Sequence, residues 1–252
     1  MLAASSKNVI DKYSALLDPS SAGFCQRVFN TDAAIYVDRL KAIGFQNLES
    51  VLDAGCGFGQ WTLQLAGMNE SVAAIDVDSG RLMFLNELLQ SEGRQAELSW
   101  STISDLAFDE ATFDGIFSYS VIFIGDWKKC LAEFHRVLKP GGRLYFNFNE
   151  IGWFLHLWNN QPNAASNYDP REVAASAMLN TIEYERGTGG LSGQKVIEEA
   201  ECRDELERLG FINIQFDAEG ELCVDPSIDP VSFYPSHHDG LRGVREVLCF
   251  KS

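Results

Sequence analysis

The chain is short of positive charge. Lys and Arg number 20 against 36 Asp and Glu, a formal charge of -16 at pH 7 over 252 residues. With no Lys/Arg cluster to neutralise phosphates, the averaged field repels polyanions, and nucleic acid is not an expected partner. Cysteine pairs are also missing. The six thiols, at 25, 56, 130, 202, 223 and 249, form neither a C-x-x-C pair nor the clustered triplet an iron-sulfur site needs, so reduced and mostly buried thiols are expected. No apolar run approaches the roughly 18 residues of a membrane span. Polar Ser5, Ser6, Lys7 and Asn8 stand where a signal-peptide core would lie. A cytoplasmic protein is the expectation. Internal repeats and low-complexity tracts are lacking as well.

Against these absences stands one dense motif, Val51-Leu52-Asp53-Ala54-Gly55-Cys56-Gly57-Phe58-Gly59-Gln60-Trp61, set between an apolar strand and an amphipathic helix. Alternating glycines let the backbone turn through angles closed to other residues and let a ligand approach the main chain. A dinucleotide fingerprint needs a third glycine at position 60, which is Gln, and a phosphate-binding loop needs Gly-Lys-Ser or Gly-Lys-Thr, where the chain reads Gly59-Gln60-Trp61-Thr62. No Tyr is followed by Lys four residues later, which disfavours a nicotinamide-dependent reductase on the same fold. Cys56, inside the loop, reads as a small residue that tolerates close packing.

Further segments fall into order behind the loop. Val72-Ala73-Ala74-Ile75 ends in Asp76, 23 residues after Asp53, where a doubly wound fold delivers an acid to ribose hydroxyls. Phe113 to Tyr119 reads as a buried strand. Glu133 to Lys139 closes a helix, and Pro140-Gly141-Gly142 turns it into another strand. Together these blocks resemble the class I S-adenosylmethionine-dependent methyltransferases, over about residues 48 to 150. The resemblance implies a Rossmann-like α/β fold: a seven-stranded, mostly parallel sheet with an antiparallel last strand, N-terminal helices, and an insertion after the fifth strand. It implies S-adenosyl-L-methionine as cofactor, with Asp53 helping to place its amino group. Gly55, Cys56, Gly57, Gly59, Gln60 and Trp61 would face its methionyl part, and Asp76 with Val77 its ribose. On the adenine side the family often carries an acid followed by an apolar residue; here the matching pair is Thr102-Ile103, with Asp105 three positions on. Ser118 and Tyr119 follow the fourth strand and complete the expected cofactor site.

One domain is expected over residues 1-252, divided into an N-terminal helical cap (1-47), a cofactor-binding core (48-150), a substrate lid (151-201), and a C-terminal helix and hairpin (202-252). The cap rests on the helical spacing of Val9, Ile10, Tyr13, Leu16 and Leu17, and of Tyr36, Leu40 and Ile43 before Gly44. The lid opens with the aromatic run Ile151 to Trp158 and then turns rich in Asn, Pro and Gly. It leaves the carboxyl edge of the sheet, where open α/β folds bind ligands. The connection from Asp217 to Gly243 reaches the same edge, which brings Tyr234, His237 and His238 toward the reaction. Trp153, Tyr234 and Glu150 are expected to bind substrate; Glu150 and Asn149 either orient it or cap the insertion's first helix.

Methyl transfer from a sulfonium requires chiefly alignment of a nucleophile and exclusion of water, without a metal. For a hydroxyl nucleophile a neutral imidazole is the natural base, and His237, His238 and His156 are the candidates. The Asn/Asp-Pro-Pro-Tyr signature of the family's amino-methylating members is replaced by Ser118-Tyr119-Ser120-Val121. A small-molecule acceptor, with oxygen ahead of nitrogen or carbon, is therefore expected. A non-catalytic cofactor-binding protein, and a protein methyltransferase drawn to a basic segment by the acidic surface, are the alternatives.

Overall fold

The computed structural model describes residues 3-252, so the first two residues of the expected cap lie outside it. Three helices, α1 (Ala4–Ser14), α2 (Pro19–Asn30) and α3 (Ala33–Ala42), precede the sheet. Sequence sets their starts. Asp18 accepts the backbone N–H groups of Ser20 and Ser21 with Pro19 at the first helical position, and Asp32 accepts that of Ala34.

The core follows as β1 (Ser50–Ala54), α4 (Gln60–Leu65), β2 (Ser71–Asp76), α5 (Ser79–Ser91), β3 (Glu97–Trp100), β4 (Phe113–Ser118), α6 (Trp127–Val137) and β5 (Leu138–Asn149). After the insertion come α9 (Glu199–Leu209), β6 (Phe211–Ala218), the short ribbon β7 (His237–His238) and β8 (Leu241–Arg242), and β9 (Val244–Lys251). Seven strands form one sheet in the order β3-β2-β1-β4-β5-β9-β6, with β9 antiparallel to both neighbours. The strand order reverses between β1 and β4, which makes their carboxyl ends the natural ligand edge.

Apolar clusters cover both faces. On one, Trp127, Leu131 and Phe134 of α6 pack with Leu206 of α9 against β1, β4 and β5. On the other, Tyr36 and Leu40 of α3 and Trp61 of α4 pack against Phe117 and Tyr145. A third cluster joins α1, α2 and α5 beneath the glycine loop through Ile10, Cys25, Phe58 and Phe84.

The insertion is more ordered than its Asn, Pro and Gly content suggests. It holds α7 (Ile151–Asn160) and a 16-residue helix, α8 (Pro170–Glu185), started by Asp169, whose side chain accepts the Arg171 N–H, with Pro170 at the first position. Phe154 and Leu157 pack on Ala174 and Ala177, giving this helical pair its own small core. Among the described residues no helix is long and apolar enough to cross a membrane, and all six cysteines are free thiols.

Candidate functional site

The glycine loop forms as its sequence requires. Gly55, Gly57 and Gly59 have φ of 84°, 55° and 79°, and the Gly55 and Cys56 N–H groups donate to the Ile75 carbonyl at 3.0 and 2.9 Å. The glycines differ in what surrounds them. A Cβ on Gly55 would press on Val121 and one on Gly59 would overlap Leu85, whereas one on Gly57 would meet nothing within 4 Å. The space beside Gly57 is thus a cradle open to a ligand, while Gly59 is required by helix packing. Asp76, 8 % exposed, accepts the N–H groups of Gly57 and Asp78, each at 2.9 Å, and so ties the end of β2 to this cradle.

Asp53 is buried at the end of β1, where Thr62 Oγ1 donates to its Oδ2 at 2.6 Å. Burial, opposed by the Thr62 hydrogen bond and reinforced by Asp76, pushes its pKa up to about 7. Such a carboxyl gains a favourable partner when an ammonium group arrives. Gln60 Oε1 and Trp61 Nε1 are buried without a hydrogen-bond partner among the described residues. A ligand carrying both ammonium and carboxylate has the chemistry to satisfy that acceptor and that donor. Trp61 itself is a packing residue, with its ring 4.8 Å from Tyr36, 5.0 Å from Phe117 and 4.8 Å from Tyr119. Cys56 is buried among apolar side chains, its thiol raised well above the ordinary value by burial.

Beyond Asp76 the edge is open. Val77 is 62 % exposed, and its carbonyl accepts the Trp100 indole N–H at 2.8 Å. Thr102 is exposed and faces Ser104 at 3.2 Å, while Ile103 is half-buried against the core. Ser118 is buried, its hydroxyl donating to the Ala54 carbonyl at 3.0 Å, which clamps β4 to the start of the glycine loop.

A cavity of about 130 Å³ lies beside this edge. Ser120 just after β4, Asn149 at the end of β5, and Phe123 and Ile124 of a 3-10 turn (Ile122–Ile124) line it. Trp153 and Leu157 of α7, Tyr168 and Gln194 of the insertion, and Tyr234 of the last long connection complete it. Trp153 and Tyr234, expected from sequence to bind substrate, thus meet here edge to face, 5.1 Å apart.

The histidines separate. His156 stacks on Trp153 at 5.4 Å, and His238 lies 5.4 Å from His156 in a T-shaped arrangement. Each imidazole is paired with an amide, His156 Nδ1 with Asn160 and His238 Nε2 with Asn159, both at 2.9 Å. Burial and the neighbouring His238 lower the pKa of His156. None of the three imidazoles lines the cavity: His156 and His238 stand behind Trp153, and His237 is exposed and meets only Ser236 among hydrogen-bond partners.

Glu150 also lies outside the cavity. Its Oε1 accepts the Glu199 N–H at 3.1 Å and its Oε2 the Arg242 guanidinium at 2.8 Å, and it makes no side-chain cap of α7. The physical reason is sequence-distant: the end of the insertion and the β8 arginine fold back over it.

Sequence reasoning missed a buried charged knot behind the cavity. Arg39 is 3 % exposed and pairs with Glu219 and Glu246, both fully buried. Glu219 also accepts the Tyr119 hydroxyl at 2.6 Å and the N–H groups of Phe233 at 2.8 Å and Tyr234 at 3.3 Å. Glu246 accepts the Tyr145 hydroxyl at 2.7 Å. One carboxylate therefore registers α3, the turn after β4 and the connection carrying Tyr234. Its signal in sequence was faint, a lone Arg at a core-facing helical position.

Residues 51–142 match the model of a methyltransferase domain. An O-methyltransferase of Penicillium expansum is 35% identical over 204 residues, 65% of this chain and 70% of its own length. The chain belongs to the class I S-adenosylmethionine-dependent methyltransferases. S-adenosyl-L-methionine is its cofactor; the cradle at Gly57, the acid pair Asp53 and Asp76, and the unpartnered Gln60 and Trp61 atoms fit that ligand. A demethylmenaquinone methyltransferase of Oceanobacillus iheyensis is 29% identical over 42% of this methyltransferase and 47% of its own length. An S-adenosyl-L-methionine-dependent Diels-Alderase of Neonectria sp. is 23% identical over 70% of this chain and 64% of its own. Among solved structures, geranyl diphosphate methyltransferase in complex with S-adenosylmethionine has the same fold, with a TM-score of 0.59 at 16% identity over 94% of both chains.

Proposed function

We propose that this methyltransferase transfers the methyl group of S-adenosylmethionine to an oxygen nucleophile of a small molecule held in the 130 Å³ cavity. The observation that carries the reading is the His156–His238 pair, set against the cavity wall through Trp153. Burial favours the neutral form of His156, so near pH 7 it has the protonation state of a base, and a movement of Trp153 would bring it to a hydroxyl in the cavity as the oxygen attacks the sulfonium methyl. The protein's other tasks are to align that oxygen with the methyl carbon and to keep water out, which the rings of Trp153, Tyr234 and Phe123 serve. The cofactor supplies the activated methyl. Two oxygen-methylating features lend support: the Penicillium expansum relative is an O-methyltransferase, and Ser118-Tyr119-Ser120-Val121 stands in place of the amino-methylating signature. The residue assignments are Asp53, Gly55, Gly57, Asp76, Val77, Thr102, Ile103, Ser118 and Tyr119 for the cofactor, Trp153 and Tyr234 for the acceptor, and His156 with His238 for proton transfer.

The test is transfer of labelled methyl to hydroxyl and amine acceptors, with products identified by mass. Expected are methyl ethers, a kcat/KM that rises with pH through a midpoint below the ordinary histidine value of 6.5, and a loss of about 100-fold in His156→Ala. Label found on nitrogen, or no loss in either histidine variant, would sink the oxygen assignment. A second reading, cofactor binding without methyl transfer, draws on the Diels-Alderase relative. It requires tight S-adenosylmethionine binding with no S-adenosylhomocysteine formed from any acceptor. Label retained on protein after incubation with a lysate would instead favour a protein acceptor.

A further inference from the structure

Resting on the oxygen assignment above, we propose that Arg27 is the specificity-determining residue of the acceptor site, and that the acceptor carries an oxyanion, carboxylate or phosphate, apart from the hydroxyl that receives the methyl group. The size of the cavity, the docking of α2 and the distribution of paired charges each point there.

The cavity holds only part of an acceptor. It measures about 130 Å³, and a space of about 150 Å³ is filled by a molecule the size of benzene. It is also half open, so the rest of the acceptor lies outside it. Ser120, Asn149, Tyr168, Gln194 and Tyr234 offer hydrogen bonds in its lining, and no lining residue is charged. Such a lining orients a hydroxyl. A charged group on the same molecule finds its counter-ion only beyond the wall.

Helix α2 reaches that wall. The backbones of Ala165 and Tyr168 pair at 3.0 and 3.1 Å in a tight turn, and Asn167 within it donates to Asp18 Oδ1 at 2.6 Å and to Ser20 Oγ at 3.3 Å. The start of α2 is thereby docked on the turn that delivers Tyr168 to the cavity. One helical turn on, Phe24 packs on Phe58 of the glycine loop, 6.0 Å between ring centres. Side chains on a helix slant toward its N-terminus. Arg27 does so: its guanidinium lies 5.9 Å from the centre of the Phe24 ring, and a Cβ on Gly23 would stand 3.4 Å from its Nη1. The cation is turned back toward the seam between cap, glycine loop and insertion. Burial raises the phenols of Tyr168 and Tyr234, and the Arg27 charge opposes the rise at both, so its field reaches the cavity wall.

The other cations nearby are committed. Arg39 lies between Glu219 and Glu246, and Arg242 is paired with Glu150 and Glu199. Arg171 donates to the Trp158 carbonyl at 3.0 Å, and Lys195 to the carbonyls of Gly125 and Gly193 at 2.9 and 3.0 Å. Arg27 is exposed, and among the described residues no carboxylate pairs with it and no group accepts a hydrogen bond from its guanidinium. An oxyanion meets such a fork by two parallel hydrogen bonds, a geometry that lysine does not reproduce. A cationic acceptor would instead face this charge and the sulfonium of the cofactor together.

The experiment is calorimetry on the full chain saturated with S-adenosylhomocysteine, reading the Kd of 3-hydroxybenzoate, 3-hydroxybenzamide, 4-hydroxybutanoate, 4-hydroxybutanamide and 3-hydroxyphenyl phosphate. Each carboxylate is expected to bind at least about 5-fold more tightly than its amide. Tighter binding of the phosphate than of 3-hydroxybenzoate, or the reverse, supports the proposal equally and names the oxyanion. Arg27→Gln, a change at an exposed position, should bring acid and amide together, and Arg27→Lys should restore only part of the difference, with the S-adenosylmethionine Kd unchanged in both. The proposal is overturned by a wild-type chain that does not prefer the acids, or by a preference that survives Arg27→Gln. A weaker S-adenosylmethionine Kd in Arg27→Gln with the acid preference intact also overturns it, and assigns Arg27 to the carboxylate of the cofactor. Labelled methyl transfer to 3-aminobenzoate separates the underlying reading: methyl found on nitrogen, with the Arg27-dependent acid preference standing, overturns only the oxygen assignment.

Discussion

Glu150 Oε1 accepts the backbone N–H of Glu199 at 3.1 Å, so the carboxylate at the start of the insertion holds the helix at its end. Arg242 bridges both, to Glu150 at 2.8 Å and to Glu199 at 3.0 Å. The two ends of a 48-residue excursion, residues 151–198, are clasped by one ion cluster. Glu150→Ala leaves Arg242 and the Glu199 N–H short of a partner and should cost about 2 kcal/mol. Denaturant unfolding measures that loss, and limited proteolysis should report faster cleavage inside 187–193, with the cofactor Kd unchanged.

Gly57 and Gly59 should respond oppositely to alanine. Both have positive φ, but the space beside Gly57 is open and that beside Gly59 is filled by Leu85. Gly57→Ala should cost only about 1 kcal/mol of stability yet abolish cofactor binding in calorimetry. Gly59→Ala should cost about 3 kcal/mol and lower the melting temperature visibly. Equal binding loss in two equally stable variants would contradict this division.

The pH behaviour of Asp53 has a defined sign. Its pKa is pushed up to about 7 from an ordinary 3.8, so the folded state without cofactor binds the proton more tightly than the unfolded chain. The group's contribution to stability is therefore full below pH 3.8 and falls as pH rises toward 7. Cofactor binding, which brings a cationic amino group, should favour the carboxylate, so affinity should tighten from about pH 6 to about pH 7.5 with proton release. Calorimetry in buffers of different ionisation enthalpy reads that proton. Asp53→Asn should remove the release and flatten the profile.

Glu219 accepts from Arg39, Tyr119, Phe233 and Tyr234, and an amide of the same shape cannot accept from all four. Glu219→Gln should raise the acceptor KM by about 10-fold while kcat and the cofactor Kd change by less than about 2-fold. Glu219→Ala, which leaves Arg39 less paired in a buried site, should cost about 3 kcal/mol of stability. A uniform fall in kcat with unchanged acceptor KM would show that the carboxylate does not act through the cavity wall.

How far the sequence could be read depended on how local each feature is. The Asp53-to-Trp61 loop, Asp76 and the Pro-Gly-Gly turn were legible because their conformations are set within a few residues. Helix α8 was missed because Asn, Pro and Gly around it suggested loop, although Asp169-Pro170 is a helix start. Glu150 read as a substrate ligand because its place at the end of a strand was visible, but Glu199 and Arg242, which claim its oxygens, lie 49 and 92 residues away.

The chain's own sequence thus determined the cofactor, since glycine register and strand-end acids are short-range facts of backbone geometry. It also determined the parallel sheet, through buried strands alternating with capped helices. Only the tertiary structure decided the acceptor cavity. Its walls come from the turn after β4, the end of β5, two parts of the insertion and the last connection, and their closeness results from packing of α7 on α8, the Glu150 cluster and the Glu219 knot. Long-range contacts of that kind carry no periodicity in sequence, so the donor was legible there and the acceptor site was not.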